Sequence, residues 1–263
     1  MTNIILETRG LSKSFGAVTA AADINITINE EEIVGVIGSN GAGKTTFINM
    51  VTGYLTPSEG TILFRGKDIT GLSPMQVTRT GICRSFQVAQ LFPELTTLEN
   101  MLVAHSMLSK KRLGWQRPLK SQVNIDAAMG ALEGYGIDNY ADAQVTTLPQ
   151  GVRKLLDIAM AMVGSPALLL LDEPTSGVAI EEKFALMDTV MEAVNRSGAA
   201  NFFVEHDMEI VSRYATRVIA FYDGRVIADG PTAEALANPE VKEFIVGTEL
   251  HRQQSESGEH AEN

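Results

Sequence analysis

The sequence predicts an α/β fold with a mostly parallel sheet, and two observations support that prediction. Short apolar runs recur along the 263 residues, and some of them, such as 33–37 and 168–171, are apolar without alternation. Such runs are typical of strands that are covered on both faces, as in a parallel sheet. Helical patterns lie between the runs. The predicted strands are Ile24–Ile28, Ile33–Ile37, Thr61–Phe64, Ala167–Leu171, Asn201–Val204 and Val218–Tyr222.

Local signals mark where individual elements begin and end. A helix is predicted between Glu181 and Gly198, because acidic residues open it, Arg196 lies in its last turn and a glycine follows it. Its predicted apolar face comprises Phe184, Met187, Met191 and Val194. Further along the chain, Asp223–Gly224 lies between two apolar runs and predicts the turn of a β-hairpin.

The stretch from about residue 88 to residue 162 differs from the rest of the chain, since it has helical patterns and few strand signals. We expect it to form a helical subdomain inserted in the α/β core. Residues 1–247 are predicted to be a single domain that contains this insertion. The polar residues 248–263 are predicted to be a C-terminal tail.

Composition and charge exclude several classes of protein. The 32 acidic and 21 basic residues give a net charge of −11, which disfavours nucleic-acid binding because a phosphate backbone repels such a protein. The single cysteine excludes an internal disulfide. The longest apolar-rich stretch, Ile158–Leu171, is interrupted by Gly164 and Pro166 and is shorter than the ~20 residues that a membrane-spanning helix needs. We therefore expect a soluble or peripheral protein.

A glycine-rich segment directly follows the predicted strand Ile33–Ile37. Residues 38–45 match the pattern G-x-x-x-x-G-K-[ST], whose glycines let backbone N–H groups surround phosphate oxygens. In this pattern Lys44 supplies charge to the terminal phosphates, Thr45 is a ligand for Mg²⁺, and the following helix adds its N-terminal dipole. A glycine-rich turn that binds nothing is the alternative, but the strand–loop–helix context favours a nucleotide site. The predicted nucleotide-binding residues are Gly38, Ser39, Asn40, Gly41, Ala42, Gly43, Lys44, Thr45 and Thr46.

Two further candidate groups follow predicted core strands. Asp172 and Glu173 end the run Ala167–Leu171, where one carboxylate is well placed to hold Mg²⁺ and the next to face an attacking water. On its own this pattern is equally consistent with a strand that simply leaves the core, but the phosphate loop favours a catalytic pair. His206 follows the run Asn201–Val204 and is predicted to contact the γ-phosphate of ATP; a structural histidine is the alternative.

These motifs occur in the order that is found in the nucleotide-binding subunits of ABC transporters, and the chain resembles that family over about residues 4–247. The resemblance implies an α/β fold with a P-loop ATPase core, a mostly parallel sheet, an antiparallel β subdomain and a helical subdomain. It identifies residues 38–46 as the Walker A motif and 168–172 as the Walker B motif. Glu173 then corresponds to the catalytic glutamate and His206 to the switch histidine.

The resemblance assigns three further roles. Gln87 corresponds to the Q-loop glutamine, which links Mg²⁺ and the attacking water to the helical subdomain. Mg²⁺ is expected to be held by Thr45, Asp172 and Gln87. Phe15 corresponds to the aromatic residue that stacks on adenine, although Phe15 also fits a place in the core.

More closely, the chain is similar to the ATPases of branched-chain amino acid importers. The segments that carry this similarity are GSNGAGKTTFINMVTGYLTPSEGTILFRGKDITGL, SFQVAQLFPELTTLENMLVA and EHDMEIVSRYATRVIAFYDGRVIADGP. The similarity implies two ATPase subunits that clamp two ATP molecules and dock on membrane-spanning permease subunits. The protein is then expected to be peripheral, at the cytoplasmic face of the cell inner membrane, and to power the import of branched-chain or related hydrophobic amino acids.

The signature motif departs from the family's usual LSGGQ. The aligned residues are Leu148, Pro149, Gln150, Gly151 and Val152, and they lack the serine hydroxyl that in the family bonds the γ-phosphate of the partner's ATP. The D-loop departs as well, since Ala179 stands where the family usually has Asp. We therefore expect a heterodimer with a second ABC ATPase that carries an intact signature. A homodimer with two weakened sites is the alternative.

Other functions stay open at the level of the sequence. One alternative keeps the transport ATPase and changes the cargo to urea, an aromatic compound or an exported lipid. Another is a soluble ABC ATPase for DNA repair, chromosome organisation or translation, although the long coiled coil, zinc-binding insertion or tandem ATPase domain usual in those proteins is absent from the sequence. A third is a regulatory subunit that binds ATP but hydrolyses little.

Overall fold

The computed structural model describes residues 3–87, 89–108 and 119–246, so the predicted tail at 248–263 lies outside the described residues. The chain forms two compact units. The first unit contains the described residues up to Leu72 and from Val204 onward, and the second contains those from Ser73 to Phe203.

The strands and helices follow one another along both units. The strands are β1 (Ile4–Phe15), β2 (Val18–Ile24), β3 (Thr27–Asn29), β4 (Ile33–Gly38), β5 (Glu59–Phe64), β6 (Lys67–Asp68), β7 (Ile82–Ser85), β8 (Leu168–Asp172), β9 (Ala200–Val204), β10 (Arg217–Tyr222) and β11 (Arg225–Pro231). The helices are α1 (Lys44–Val51), α2 (Pro74–Thr80), α3 (Thr97–Leu108), α4 (Gln122–Glu133), α5 (Gln150–Met162), α6 (Ile180–Ser197), α7 (Met208–Tyr214), α8 (Thr232–Ala237) and α9 (Pro239–Val241).

An antiparallel sheet in the first unit is built around the long strand β1. Strands β2, β3 and β5 all pair with β1 in antiparallel fashion, and β6 extends the sheet beyond β5. Leu6 of β1 faces both Ile28 and Phe64, and all three side chains are buried. The predicted antiparallel β subdomain is confirmed.

The run Ile24–Ile28 was predicted to be one strand, and the structure corrects this. Strand β2 ends at Ile24 and β3 begins at Thr27. The side chain of Asn25 causes the break, because its oxygen accepts a hydrogen bond from the Gly10 N–H at 2.7 Å and its amide donates to the Asp23 carbonyl at 2.9 Å. These bonds replace the regular ladder, and Asp23 adopts a left-handed φ of 51°.

The first unit also contains strands of the α/β core. Strand β10 pairs in parallel with β4 and in antiparallel fashion with β11. The predicted hairpin turn is confirmed at Asp223–Gly224, where φ is 46° and 73°. Two successive residues with positive φ are what a tight hairpin turn of this kind requires, and Asp–Gly supplies them at low cost.

In the second unit the strands run in the order β9-β8-β7, and β7 pairs with β8 in parallel. Every residue of β8 and β9 is buried, as the uniform apolar runs predict. Helix α6 buries three residues of the predicted face, Met187, Met191 and Val194, whereas Phe184 is half-buried. The helix ends at Gly198 with a φ of 67°. Helices α3, α4 and α5 lie in the stretch for which a helical subdomain was predicted. Among the described residues, no helix is both long and apolar enough to span a membrane.

Candidate ATP site

The glycine-rich loop of the first unit lies between the end of β4 and the start of α1. Gly41 and Gly43 have φ values of 82° and 100°, a region that is open to glycine and strained for other residues. The hairpin turn supports the loop, since the Gly224 N–H donates to the Ala42 carbonyl at 3.1 Å. The loop is therefore shaped by backbone conformation, and it leads into the first turn of α1, whose amides have no acceptor within the helix.

Lys44 is the first residue of α1 and is only 6% exposed. Its ammonium group donates to the Gly38 carbonyl at 2.5 Å and to the Ser39 carbonyl at 3.0 Å. The positive charge is thus held inside the loop that the sequence predicts to bind phosphate. Thr45, the next residue, is exposed, so its hydroxyl is accessible to a ligand.

Phe15 ends strand β1 and is 53% exposed. This excludes the alternative that Phe15 is a core residue. The Lys13 ammonium lies 5.2 Å from the centre of the Phe15 ring, which is a cation–π contact. An exposed ring of this kind is available for stacking on a planar ligand.

His206 also belongs to the first unit, between β9 and α7. It is partly buried, and its backbone N–H donates to the Glu205 carboxylate at 3.2 Å. Glu205 is buried, and its own N–H donates to the Val36 carbonyl of β4 at 3.2 Å. The segment that carries His206 is therefore tied to the strand that leads into the glycine-rich loop.

In the second unit, Asp172 ends β8 and forms a buried ion pair with Arg84 of β7. The Arg84 Nη2 to Asp172 Oδ2 distance is 2.6 Å, and the two side chains are 8% and 5% exposed. The Arg84 guanidinium also lies 4.7 Å from the centre of the Phe86 ring. Arg84 is a residue that the sequence reasoning missed. Its only signal in the sequence was its place three residues before Gln87.

Gln87 and Glu173 are brought together, although 86 residues separate them in the chain. The Gln87 side-chain amide donates to the Glu173 carboxylate at 2.5 Å. Glu173 follows the buried strand directly and has a left-handed φ of 49°, which is uncommon for a residue with a side chain. Backbone strain of this kind is often found at functional sites.

The segment around Gln87 is also held by Asp157 of α5. The Asp157 carboxylate accepts hydrogen bonds from the Ser85 hydroxyl at 2.8 Å, the Phe86 N–H at 3.1 Å and the Gln90 N–H at 3.1 Å. Burial raises the pKa of Asp157, and these hydrogen bonds together with the nearby Lys154 oppose that shift. Asp157 was not recognised from the sequence, because a single acid within a helical pattern resembles a solvated position.

The signature residues lie at the start of α5. Leu148 is buried, Pro149 precedes the first helical residue, and the helix begins at Gln150. Pro149, at the N-cap position, makes no side-chain hydrogen bond to this N-terminus, so the first-turn amides lack that cap at the positive end of the helix dipole. The Gln150 side chain lies against Gly177, two residues before Ala179 of the D-loop. A methyl group at Gly177 would lie 3.6 Å from the Nε2 atom of Gln150. Gln150 thus occupies space where the usual motif has a glycine.

The comparison with protein families decides the classification. The family model described as ABC transporter matches residues 21–176. The chain belongs to the ABC transporter family. It is the ATP-binding, ATP-hydrolysing subunit of such a transporter. The matched range contains the glycine-rich loop, the acidic pair and the altered signature residues, whereas Phe15 and His206 lie outside it.

Curated relatives match nearly the whole chain. The chain is 35% identical to a probable branched-chain amino acid transport ATP-binding protein LivG of Archaeoglobus fulgidus, covering 93% of this chain and 96% of that protein. It is 35% identical to the high-affinity LivG protein of Escherichia coli K12, covering 94% and 99%. It is 33% identical to the high-affinity branched-chain amino acid transport ATP-binding protein BraF of Pseudomonas aeruginosa, covering 94% and 99%.

Solved structures agree with the fold. The ADP conformation of an ATP-binding cassette of an ABC transporter superposes with a TM-score of 0.82 at 31% identity, covering 93% of this chain and 99% of that chain. A nucleotide-free ATP-binding cassette gives a TM-score of 0.79 at 29% identity, covering 92% and 98%. The predicted P-loop ATPase fold is thereby confirmed.

Proposed function

We propose that this ABC transporter ATPase powers the import of branched-chain or related hydrophobic amino acids, as a peripheral protein at the cytoplasmic face of the inner membrane. The observation that carries the cargo assignment is the 33–35% identity, over at least 93% of the chain, to proteins named for branched-chain amino acid transport. Membrane-spanning permease subunits are its partners in this proposal, since an ATPase without them moves no cargo.

In the proposed reaction ATP and water give ADP and phosphate. Lys44 and the amides of the glycine-rich loop stabilise charge on the transferred phosphoryl group, which is most of what catalysis of phosphoryl transfer requires. Glu173 orients or deprotonates the attacking water, and His206 contacts the γ-phosphate. Gln87 restrains the Glu173 carboxylate through the 2.5 Å hydrogen bond.

Mg²⁺ is the proposed cofactor besides ATP. The Thr45 hydroxyl, the Asp172 carboxylate and the Gln87 amide oxygen are hard oxygen donors, which suit this ion, so the donor set fits. The ion pair with Arg84 occupies Oδ2 of Asp172, so the proposal assigns the ligand role to the other carboxylate oxygen. When bound, Mg²⁺ supplies charge that neutralises the phosphate oxygens.

The altered signature supports a heterodimer with a second ABC ATPase. Pro149 has no hydroxyl or N–H, and the Gln150 side chain lies against Gly177, so this chain offers fewer donors to a partner's ATP than LSGGQ does. A charge-assisted hydrogen bond of the lost kind is worth about 1.5–3 kcal/mol. In the proposed assembly the complete site combines the Walker motifs of this chain with the partner's signature.

The experiment that tests the proposal is purification of the tagged chain from detergent-solubilised membranes, followed by identification of the proteins that accompany it. We expect two membrane-spanning proteins and a second ATPase. The recovered complex is then placed in lipid vesicles, and ATP-driven uptake of radiolabelled leucine is measured. The control complex carries E173Q. Uptake of urea or an aromatic compound instead of leucine would show that the proposed cargo is wrong. Recovery of soluble partners alone would contradict the transport function.

E173Q is expected to keep ATP binding and to lower ATP turnover about 100-fold or more, because a group that activates water contributes about 10²–10⁴-fold. Turnover and affinity for a fluorescent ATP analogue are measured on the same preparation. The matched variant E192Q changes an exposed glutamate of α6 whose side chain is 78% exposed, and it should hydrolyse ATP as the wild type does. Wild-type turnover in E173Q would show that Glu173 does not activate the attacking water.

A further inference from the structure

Helix α5 carries a lysine that is completely buried. Lys154 has a relative exposure of 0%, which lysines adopt rarely and only when the charge is well paired. Taking an ammonium group out of water is costly, so the groups that surround it determine whether the position is tolerated. Lys154 therefore has to be explained by its contacts.

The ammonium group of Lys154 donates to two backbone carbonyls. One belongs to Gln87, at 2.5 Å, and the other to Glu173, at 3.1 Å. These are the same two residues whose side chains are hydrogen-bonded to each other. Lys154, Gln87 and Glu173 thus form a closed ring, in which the lysine joins the two main chains and the amide–carboxylate hydrogen bond joins the two side chains.

The backbone at Glu173 needs such support. Its φ of 49° lies in the left-handed region, and a residue with a side chain stays there only when its surroundings hold it. The hydrogen bond from Lys154 to the Glu173 carbonyl is a direct restraint on this peptide. Without that bond, relaxation of φ would turn the carboxylate away from its present direction.

The same helix restrains the other side of the Gln87 segment. Asp157 lies three residues after Lys154, and its carboxylate accepts hydrogen bonds from the backbone amides of Phe86 and Gln90. Lys154 binds a carbonyl between them in sequence, that of Gln87. A lysine and an aspartate on one helix face therefore fix opposite polar groups of a single short segment.

We infer that Lys154 is a positioning residue for ATP hydrolysis, which sets the backbone of Gln87 and Glu173 so that the Glu173 carboxylate faces the water. This inference rests on the proposed role of Glu173. Lys154 is not a catalytic residue, because it acts through the backbones of two others. Its removal lowers the rate of the chemical step and leaves ATP affinity unchanged, since the glycine-rich loop is a separate group of residues in the first unit.

The test compares K154M and K154Q, which remove the ammonium group, with K154R, which keeps a cation with several N–H donors. All are made in the complex that contains the second ATPase. Steady-state turnover, KM for ATP and affinity for a fluorescent ATP analogue are measured. Because small misplacements of catalytic groups lower rates by as much as about 100-fold, we expect a 10- to 100-fold loss of kcat in K154M with KM within twofold of wild type. K154R should recover part of the loss.

A double-mutant comparison separates positioning from a general loss of structure. If Lys154 acts through Glu173, adding K154M to E173Q should lower single-turnover hydrolysis by less than twofold. The control I158V removes one methylene from a buried residue of the same helix and should keep turnover within about twofold of wild type. K154Q serves the same comparison if K154M does not fold.

Several outcomes overturn the inference. Wild-type kcat in K154M or K154Q would show that the two carbonyls need no ammonium group. An equal loss in the wild-type and E173Q backgrounds would show that Lys154 acts independently of Glu173. A rise in KM with unchanged kcat would assign Lys154 to nucleotide binding. If E173Q itself hydrolyses ATP normally, the role proposed for Glu173 is wrong. That result is distinguishable from a failure of the Lys154 inference, because Lys154 is unchanged in E173Q.

Discussion

Lys44 and Lys154 show how one residue type is used in two ways. Both are buried, and both donate to two backbone carbonyls. Lys44 begins helix α1, beside the exposed Gly41 and Thr45, where a bound phosphate could replace the two carbonyls as the partner of the ammonium group. Lys154 lies within a helix, behind the residues that it restrains. In the proposed function, the same chemistry serves ligand binding at Lys44 and backbone positioning at Lys154.

Changing Lys44 to Ala should weaken nucleotide binding itself. The substitution removes the one side-chain charge predicted to meet the terminal phosphates, and a hydrogen bond to a charged group is worth about 1.5–3 kcal/mol, or roughly 10- to 150-fold in affinity. Titration with a fluorescent ATP analogue measures the effect. K67A changes an exposed lysine of β6 and is the control. Equal affinities in K44A and wild type would refute the assignment of the loop.

Asp157 should give the protein a distinctive pH dependence. Burial raises its pKa above the ordinary value of 3.8, so the folded state holds its proton up to a higher pH than the unfolded state does. The stability that this proton contributes is complete below pH 3.8 and is lost as the pH rises through the raised pKa. Relative to D157N, the wild-type free energy of unfolding should fall by about 1.4 kcal/mol per pH unit over that range.

Urea unfolding of both proteins at a series of pH values measures this difference. D142N changes an exposed carboxylate of the same unit and corrects for the loss of one acid at the surface. A difference between wild type and D157N that grows with pH would mean that hydrogen bonds from Ser85, Phe86 and Gln90 outweigh the cost of burial.

At the scale of elements, the sequence predicted secondary structure most accurately where a single property of the residues, such as uniform apolarity or tolerance of positive φ, determines the conformation. The uniform run Leu168–Leu171 is buried as predicted, because a strand covered on both faces places every one of these side chains in the core. The turn at Asp223–Gly224 formed because few other dipeptides accept two positive φ values. Strand β1 was not predicted, since polar residues and Gly10 interrupt its alternation.

The candidate site divides in the same way. Lys44, Asp172 and Glu173 stand in local motifs, so their neighbours in sequence identify them. Arg84 and Lys154 do not, because their importance comes from partners 88 and 67 residues away along the chain. Such contacts form only when the chain folds, so the residues next to Arg84 and Lys154 in the sequence do not predict them.

Helix ends give a prediction that is independent of function. Gly198 ends α6 with a φ of 67°, so G198A should lower the free energy of unfolding by about 1–2 kcal/mol, the cost of a left-handed conformation with a Cβ. Gly130 lies within α4, has no positive φ and has open space where a Cβ would be. G130A should therefore raise stability by about 0.5–1 kcal/mol.

Thermal unfolding of both variants under the same conditions tests these opposite signs. A destabilised G130A would mean that the helix carries a strain that its geometry does not show. An unchanged G198A would mean that the end of α6 adopts a different conformation in solution.

At the scale of the whole molecule, the two units carry different parts of the ATPase. The first unit contains the glycine-rich loop and His206, and the second contains Gln87, the acidic pair and the signature at the start of α5. The motifs for binding and cleaving ATP are intact, whereas the signature is altered. Because the signature is expected to serve the ATP of the partner subunit, the alteration should weaken a partner's site and leave the site built on this chain's own Walker motifs competent.

This asymmetry predicts the behaviour of mixtures. Adding the partner ATPase, identified by purification of the complex, should raise ATP hydrolysis well above that of this chain alone, since a homodimer of this chain has the altered signature in both sites and the mixed dimer joins this chain's intact Walker motifs to an intact signature. E173Q in this chain should then abolish most of the hydrolysis by the mixture. The equivalent substitution in the partner should have a smaller effect, because the partner's site faces the LPQGV sequence. If the isolated chain hydrolyses ATP as fast as the mixture, a homodimer with a working LPQGV signature is the correct assembly.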